Sequence, residues 1–258
     1  MTFMRTPEHV SDLPDRSQDY LKKIYDLQEW GSSGAALSDL AGAMGQKNST
    51  ASEAVKRLGS LGLVDHKPYS LITLSDAGRA LALSMARRHR LVETFLHREL
   101  GYAMDELHEE ADRLEHAVSD RFIDRIDDLM GHPTRDPHGD PIPSAAGDVE
   151  SPQVFPLSDA TANHTVVIDR ISDQDPALLR YLESQGVLPG AHVLVKERPY
   201  PEMAELTVVA AEGDSAGGDG EADKDVQISA ASLKYILCSS RDPLQARRSG
   251  KKRAKGTK

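Results

Sequence analysis

The residues best suited to chemistry lie in the run His108 Glu109 Glu110 Ala111 Asp112 Arg113 Leu114 Glu115 His116. At about 100° per residue on a helix, His108, Asp112, Glu115 and His116 fall within one arc of roughly a quarter turn. Leu107, Ala111, Leu114, Ala117 and Val118 form the neighbouring apolar stripe, so the row runs along the edge of a buried face. Imidazole nitrogens and carboxylate oxygens on one edge are ligands for a divalent cation. A charge run by itself also fits a solvated acidic helix face, and the two histidines are what weigh against that reading. A second grouping stands upstream, where His89 and Glu93 are four residues apart and share a helix face. Two such rows on successive helices can converge on metal.

The chain has 258 residues, enough for more than one domain. Hydrophobic residues make up 39% and charged residues 28%, a soluble globular mixture. No apolar run approaches the ~20 residues of a membrane span, and the first residues lack the apolar core of a secretory signal. With Cys238 as the sole cysteine there is neither an intramolecular disulfide nor a thiolate cluster. A cytosolic protein is expected. The formal charge of -10 argues against a nonspecific polyanion binder but leaves room for a local DNA-reading element.

Helical spacing is expected from Asp15 to Trp30, with Asp15 or Ser17 capping the start. Asp19 lies in its first turn, where its local role is interaction with the helix N-terminus and a pair with Lys23. After Gly31 Ser32 Ser33 Gly34, a short helix spans Leu37 to Met44 and a second, capped by Asn48 or Ser49, runs to Gly62. Two β-prone runs, Leu63 Val64 and Leu71 to Leu74, add a wing. The turn Lys47 Asn48 Ser49 Thr50 Ala51 Ser52 opens the second helix with small polar side chains, as a recognition helix requires. Lys47, Lys56, Arg57 and Lys67 face only Glu53 and Asp65 there, a local positive balance that favours DNA over purely protein contact. Lys47, Ser49, Thr50, Ser52 and Lys56 are the candidate DNA contacts.

Ser75 caps a long helix carrying His89 and Glu93, the opening run supplies the next from Met104, and a third spans Ser119 to Met130. The apolar side of that third helix, Phe122, Ile123, Ile126 and Leu129, assigns the last two helices to a homodimer interface, consistent with reading palindromic double-stranded DNA. Residues 132–162 read as a Pro-rich linker. Beyond it, strands at Thr165 to Ile168, His192 to Val195, Leu206 to Val209 and Tyr235 to Leu237, with a helix from Asp175 or Pro176 to Gln185, predict a small partly open barrel. The expected domains are a flexible N-terminus over 1–14, a winged helix over 15–75, metal-binding and dimerisation helices over 76–131, the linker, a barrel over 163–240 and a basic disordered tail over 241–258. Glu212 to Asp225 reads as an acidic flexible insertion.

This order of parts, with the linker Asp136 Pro137 His138 Gly139 Asp140 Pro141 Ile142 Pro143, resembles the diphtheria toxin repressor family of metal-dependent repressors over about residues 14–240. Within that family it is most similar to the manganese-responsive members. The barrel, with Gly186 Val187 Leu188 Pro189 Gly190 before a strand, resembles the SH3-like or ferrous-transport-accessory module. The resemblance implies a mainly α N-terminal half with a winged helix-turn-helix and helical dimerisation region, followed by a small SH3-like β-barrel, an α+β multidomain fold. It implies two metal positions per subunit, a primary site of Asp19, Asp112, Glu115 and His116 and an ancillary site of His89, Glu93 and His108 with a barrel residue, Asp175. The family's iron-responsive branch has methionine and cysteine where Asp19 and Asp112 stand. Hard carboxylates favour Mn(II), with Fe(II) as the alternative. Where some manganese members carry a carboxylate on the first helix, this chain has Lys22, so a closely bridged two-metal centre is not expected.

The leading reading is a Mn(II)-dependent, cytoplasmic, dimeric repressor of metal-uptake genes, which needs no catalysis. A metal-independent winged-helix regulator and a metallohydrolase are the competing classes. The latter lacks a clear general base or substrate cleft.

Overall fold

The computed structural model describes residues 6–30, 33–67, 70–197, 200–210 and 223–240. The chain divides into two compact units, the first formed by Met1–Val92, Ala111–Thr134 and Ile142–Glu150, the second by Glu93–Glu110, Arg135–Pro141 and Ser151–Lys258.

In the first unit, α1 (Asp15–Glu29) starts directly after Pro14, with no side chain capping it. The expected caps are used otherwise: Ser17 is buried, and Asp15 lies within the first turn, where its charge suits the helix dipole. The segment before it is not wholly loose, because a 3-10 turn over Val10–Asp12 brings Val10 and Leu13 into the core. Tyr20, Leu21, Ile24 and Tyr25 bury one face of α1, which packs on α2 (Leu37–Ala43) and α3 (Asn48–Ser60). The N-cap of α3 is Lys47, so Asn48 and Ser49 are already helical and cap nothing. Strands β1 (Val64–Asp65) and β2 (Thr73–Leu74) pair antiparallel as the wing. Ser75 Oγ then accepts the Gly78 amide at 3.0 Å and opens α4 (Asp76–Leu100). Glycine is required at 78, since a Cβ there would stand 1.8 Å from the Leu63 carbonyl oxygen.

The unit boundary falls inside α4 and inside α5 (Leu107–Leu114). Helix α6 (Asp120–Leu129) begins where Ser119 Oγ accepts the Phe122 amide, and buries Ile123 and Ile126 while leaving Phe122 and Leu129 exposed.

The second unit holds a six-stranded antiparallel sheet of β3 (Phe155–Pro156), β4 (His164–Ile171), β5 (His192–Val195), β6 (Met203–Val208), β7 (Lys224–Ser229) and β8 (Ile236–Ser239), in the order β3-β8-β4-β5-β6-β7. Helix α7 (Pro176–Gln185) follows β4 and ends at Gly186, whose φ of 77° is left-handed. Val166, Ile168, Leu182, Val193, Leu206, Val226 and Ile236 are among its core residues. This is the expected barrel with two strands added, β3 and β7. The alternation of buried Val226 and Ile228 makes β7 a strand from Lys224, so the acidic insertion ends earlier than Asp225. Most of that insertion, and all of the basic tail, lie outside the described residues.

Residues 132–162 do not form one tether. Asp136 Oδ1 accepts the Asp140 amide at 2.8 Å, and Gly139, with φ of 89°, lets the turn approach the Asp169 carbonyl, which a Cβ would meet at 2.0 Å. The segment Arg135–Pro141 is thereby built into the second unit, while buried Ile142 opens the stretch that returns to the first. Proline and glycine mark changes of chain direction there, not exposure.

Candidate metal centre

Within the first unit the ligand row is reshaped by the end of a helix. His108 and Asp112 lie on α5, but α5 stops at Leu114, so the row is not one continuous helix edge. The Glu115 amide still donates to Ala111, whereas Ala117 and Val118 both turn back to the Leu114 carbonyl before Ser119 starts α6. Glu115 and His116 therefore sit in a turn, from which they reach α1. His116 Nε2 is 2.8 Å from Asp19 Oδ1 and 3.5 Å from Glu115 Oε1, and its Nδ1 is 3.1 Å from Gln18 Oε1. Asp19, Glu115 and His116 can each offer a ligand atom within 4.8 Å of the others. Asp19 thus meets His116, and Arg16 at 3.6 Å, while Lys23 lies 3.5 Å from Asp26 in place of the expected pair. The hydrogen bond to Asp19 and the charges of Glu115 and Asp19 raise the His116 pKa against the opposing effect of burial.

Asp112, grouped by the sequence reading with Asp19, stands in an adjoining triad with His89 and Glu115. His89 Nδ1 is 2.6 Å from Glu115 Oε2 and 3.4 Å from Asp112 Oδ1. The two triads share Glu115, whose side chain is 0% exposed. Between the members of the second lies the Lys22 ammonium, 2.7 Å from both Glu115 oxygens, 2.8 Å from Asp112 Oδ1 and 2.9 Å from His89 Nδ1. Burial disfavours the charged ammonium, but Glu115 and Asp112 outweigh it and raise the Lys22 pKa. Burial likewise disfavours the Glu115 carboxylate, and Lys22 with His89 overcomes it to lower the Glu115 pKa.

The second unit has its own cluster. His108 Nδ1 is 2.8 Å from Asp173 Oδ2 and 3.9 Å from Glu93 Oε1. Asp173, not Asp175, is the barrel carboxylate beside His108. Asp175 is the N-cap of α7, accepting the Ala177 and Leu178 amides at 3.0 and 3.1 Å. Glu93 also gathers with Asp136 and His138. His138 Nε2 donates to the Met104 carbonyl at 3.1 Å, and its Nδ1 lies 3.9 Å from Glu93 Oε2. Burial opposes a charge on His138, yet Glu93, Asp136 and Asp173 hold its pKa up to about 10. The sequence shows the motif containing Asp136 and His138, and the structure places its imidazole, only 1% exposed, in the turn that Gly139 completes. His89, grouped by sequence with Glu93 and His108, stands one turn before Glu93 on α4.

Among the described residues, carboxylate oxygens and imidazole nitrogens make up each of these groups, and Cys238 is buried in the barrel core apart from them. That donor set fits a first-row divalent ion with a tolerance for hard ligands. On α3, Ala51, Ala54, Val55 and Leu58 face the core, leaving Lys47, Ser49, Thr50, Ser52 and Lys56 exposed together.

A winged helix joined through its first helix to carboxylate–imidazole clusters defines a metal-dependent, DNA-binding regulator. Residues 12–72 match the iron dependent repressor N-terminal DNA binding domain, residues 75–144 the iron dependent repressor metal binding and dimerisation domain, and residues 155–224 the FeoA domain. The iron-dependent repressor IdeR of Mycobacterium bovis is 31% identical over 203 residues, 74% of this chain and 87% of that protein. The diphtheria toxin repressor of Corynebacterium glutamicum is 30% identical over 195 residues, 71% of this chain and 85% of that protein. Among solved structures, a manganese-dependent transcriptional repressor in complex with manganese is 43% identical with a TM-score of 0.77, covering 87% of this chain and 99% of that one. ScaR with bound Zn2+ is 28% identical with a TM-score of 0.70, covering 87% and 99%. The chain belongs to the diphtheria toxin repressor family of metal-dependent transcriptional repressors.

Proposed function

We propose that this repressor responds to Mn(II) and controls genes for metal-ion uptake, binding a palindromic operator as a homodimer. The observation that carries the reading is the Asp19–Glu115–His116 triad, which ties α1, packed on recognition helix α3, to the turn after α5. A bound divalent ion supplies the positive charge that lets these carboxylates and the neutral imidazole remain together. Asp19 then holds α1, and through its buried face α3, in one position, so the DNA-competent arrangement is selected from those available to the stripped protein. Lys47 and Lys56 meet phosphate, while Ser49, Thr50 and Ser52 permit close approach to base edges. Exposed Phe122 and Leu129 on α6 supply apolar area for the second subunit.

Manganese is favoured over iron because every candidate ligand is oxygen or nitrogen, and the manganese-dependent relative is 43% identical. The cluster of Glu93, His108 and Asp173 is the ancillary position, giving two positions per subunit in the cytoplasm. His116→Ala tests the reading by gel shift with and without chelator. It should fold by circular dichroism yet lose the manganese stimulation of DNA binding, and full stimulation in this variant would refute the assignment.

A further inference from the structure

Helix α1 ends on acid. Asp26 and Glu29 lie toward its C-terminus, where the helix dipole disfavours negative charge, and no basic residue shares the last turn. The compensating charge comes from α4. We propose that Arg90 is a positioning residue, its ion pair with Glu29 being the metal-independent anchor against which an ion at Asp19 sets the direction of α1 and so of recognition helix α3. The proposal rests on the reading of the Asp19–Glu115–His116 triad as a metal site.

The geometry carries it. Arg90 is only 4% exposed, and its Nη2 donates to Glu29 Oε2 at 2.7 Å while its Nη1 donates to Glu29 Oε1 at 3.2 Å. Such a two-pronged fork fixes orientation as well as distance. Asp26 Oδ1 lies 3.8 Å from the same guanidinium. Tyr25 Oη donates to Glu29 Oε1 at 2.7 Å, and Arg79 and Arg90, both on α4, stand over the Tyr25 ring at 5.6 and 5.7 Å from its centroid. The C-terminal end of α1 is thus held to α4 by charge and ring contacts, and no member of this cluster belongs to the metal-ligating groups.

A rod fixed at one point still swings, whereas a rod fixed at two has a direction. Glu29 follows Asp19 by ten positions on α1, about 15 Å along the helix axis. In stripped protein the Arg90–Glu29 pair holds one end, and an ion drawn in by Asp19, Glu115 and His116 fixes the other. Without the anchor those three ligands would still take the ion, but the helix that packs on α3 would gain no fixed direction from it. Metal binding and DNA binding would then separate.

The test uses the full-length chain, stripped of metal and titrated with Mn(II) alone by calorimetry, then assayed in saturating Mn(II) on a DNA duplex selected from random sequence by the wild type. Glu29→Gln with Arg90→Met removes both charges together, so neither is left buried alone and the fold is kept. This variant should bind Mn(II) within about twofold of the wild type yet hold the duplex about fivefold or more weakly. Glu29→Arg with Arg90→Glu rebuilds the pair with its charges exchanged and should recover at least half of the lost affinity on a logarithmic scale. A smaller loss of DNA affinity in the first variant, a larger change in its Mn(II) affinity, or a smaller recovery in the exchanged pair would overturn the proposal. Asp19→Ala separates the underlying reading: if it removes no Mn(II), the metal assignment of the first triad is what fails.

Discussion

Replacing Glu115 with glutamine in metal-free protein keeps the volume of a side chain that is 0% exposed and removes its charge. Lys22 then loses the carboxylate that met it through two oxygens, each at 2.7 Å, and His89 loses a partner at 2.6 Å. Asp112 remains, but its side chain is 47% exposed and its attraction is screened by solvent. Removing one partner of a buried ion pair costs ~3–5 kcal/mol. Glutamine retains a carbonyl acceptor for the ammonium, which places the expected loss at the low end, about 3 kcal/mol. Adding Lys22→Met removes the uncompensated charge and should return ~1–2 kcal/mol, within the usual range for coupled neighbours. Urea denaturation in excess chelator, followed by circular dichroism, measures both through the midpoint at unchanged slope. A loss below about 0.5 kcal/mol for Glu115→Gln, or a further loss on adding Lys22→Met, would refute the reasoning.

The raised pKa of His116 gives a signed pH dependence: the protonated ring's bond to Asp19 stabilises metal-free protein below the ordinary imidazole value and is lost as pH rises through the raised one. The stability difference between wild type and His116→Gln in chelator should therefore shrink with rising pH, whereas Mn(II) affinity should grow because binding releases that proton; a flat difference contradicts it. Lys56→Ala should weaken specific and nonspecific DNA about equally and reduce the salt slope by about one, and an unchanged slope removes Lys56 from the contacts. A chain ending at Glu150 should still dimerise and bind DNA when manganese is ample, as judged by sedimentation and gel shift; a folded truncation that does neither would assign the barrel an essential part.

Much of the N-terminal half was legible because its signals are local. The apolar spacing of Tyr20, Leu21, Ile24 and Tyr25, the Ser75 cap and glycines at helix ends each act within a few residues. What sequence periodicity missed came from long-range closure. Nothing local shows that α5 stops at Leu114, because Glu115 keeps its helical hydrogen bond; the stop follows from Ser119 beginning a new helix and from α1 receiving His116. Lys22 read as a departure from a ligand pattern, and its place among His89, Asp112 and Glu115 required the contact across ninety positions to Asp112. Spacing points to Asp175 as the barrel ligand, but that side chain is consumed by capping α7, and it is Asp173, two residues earlier, that meets His108. Proline density hid the folded Asp136–Asp140 turn, since composition alone does not separate a linker from a buried turn.

The most direct test of the central claim is operator binding by metal-stripped protein at fixed free concentrations of Mn(II), Fe(II) and Zn(II). Later divalent ions bind nitrogen and oxygen donors more tightly in general, so response must follow geometry and not affinity. Zinc, with its tetrahedral preference, should bind yet leave part of the ligand set unengaged and activate poorly, with iron between. The account predicts DNA binding restored most strongly by Mn(II) and abolished by chelator. Equal binding in chelator, or a stronger response to zinc or iron than to manganese, would contradict it.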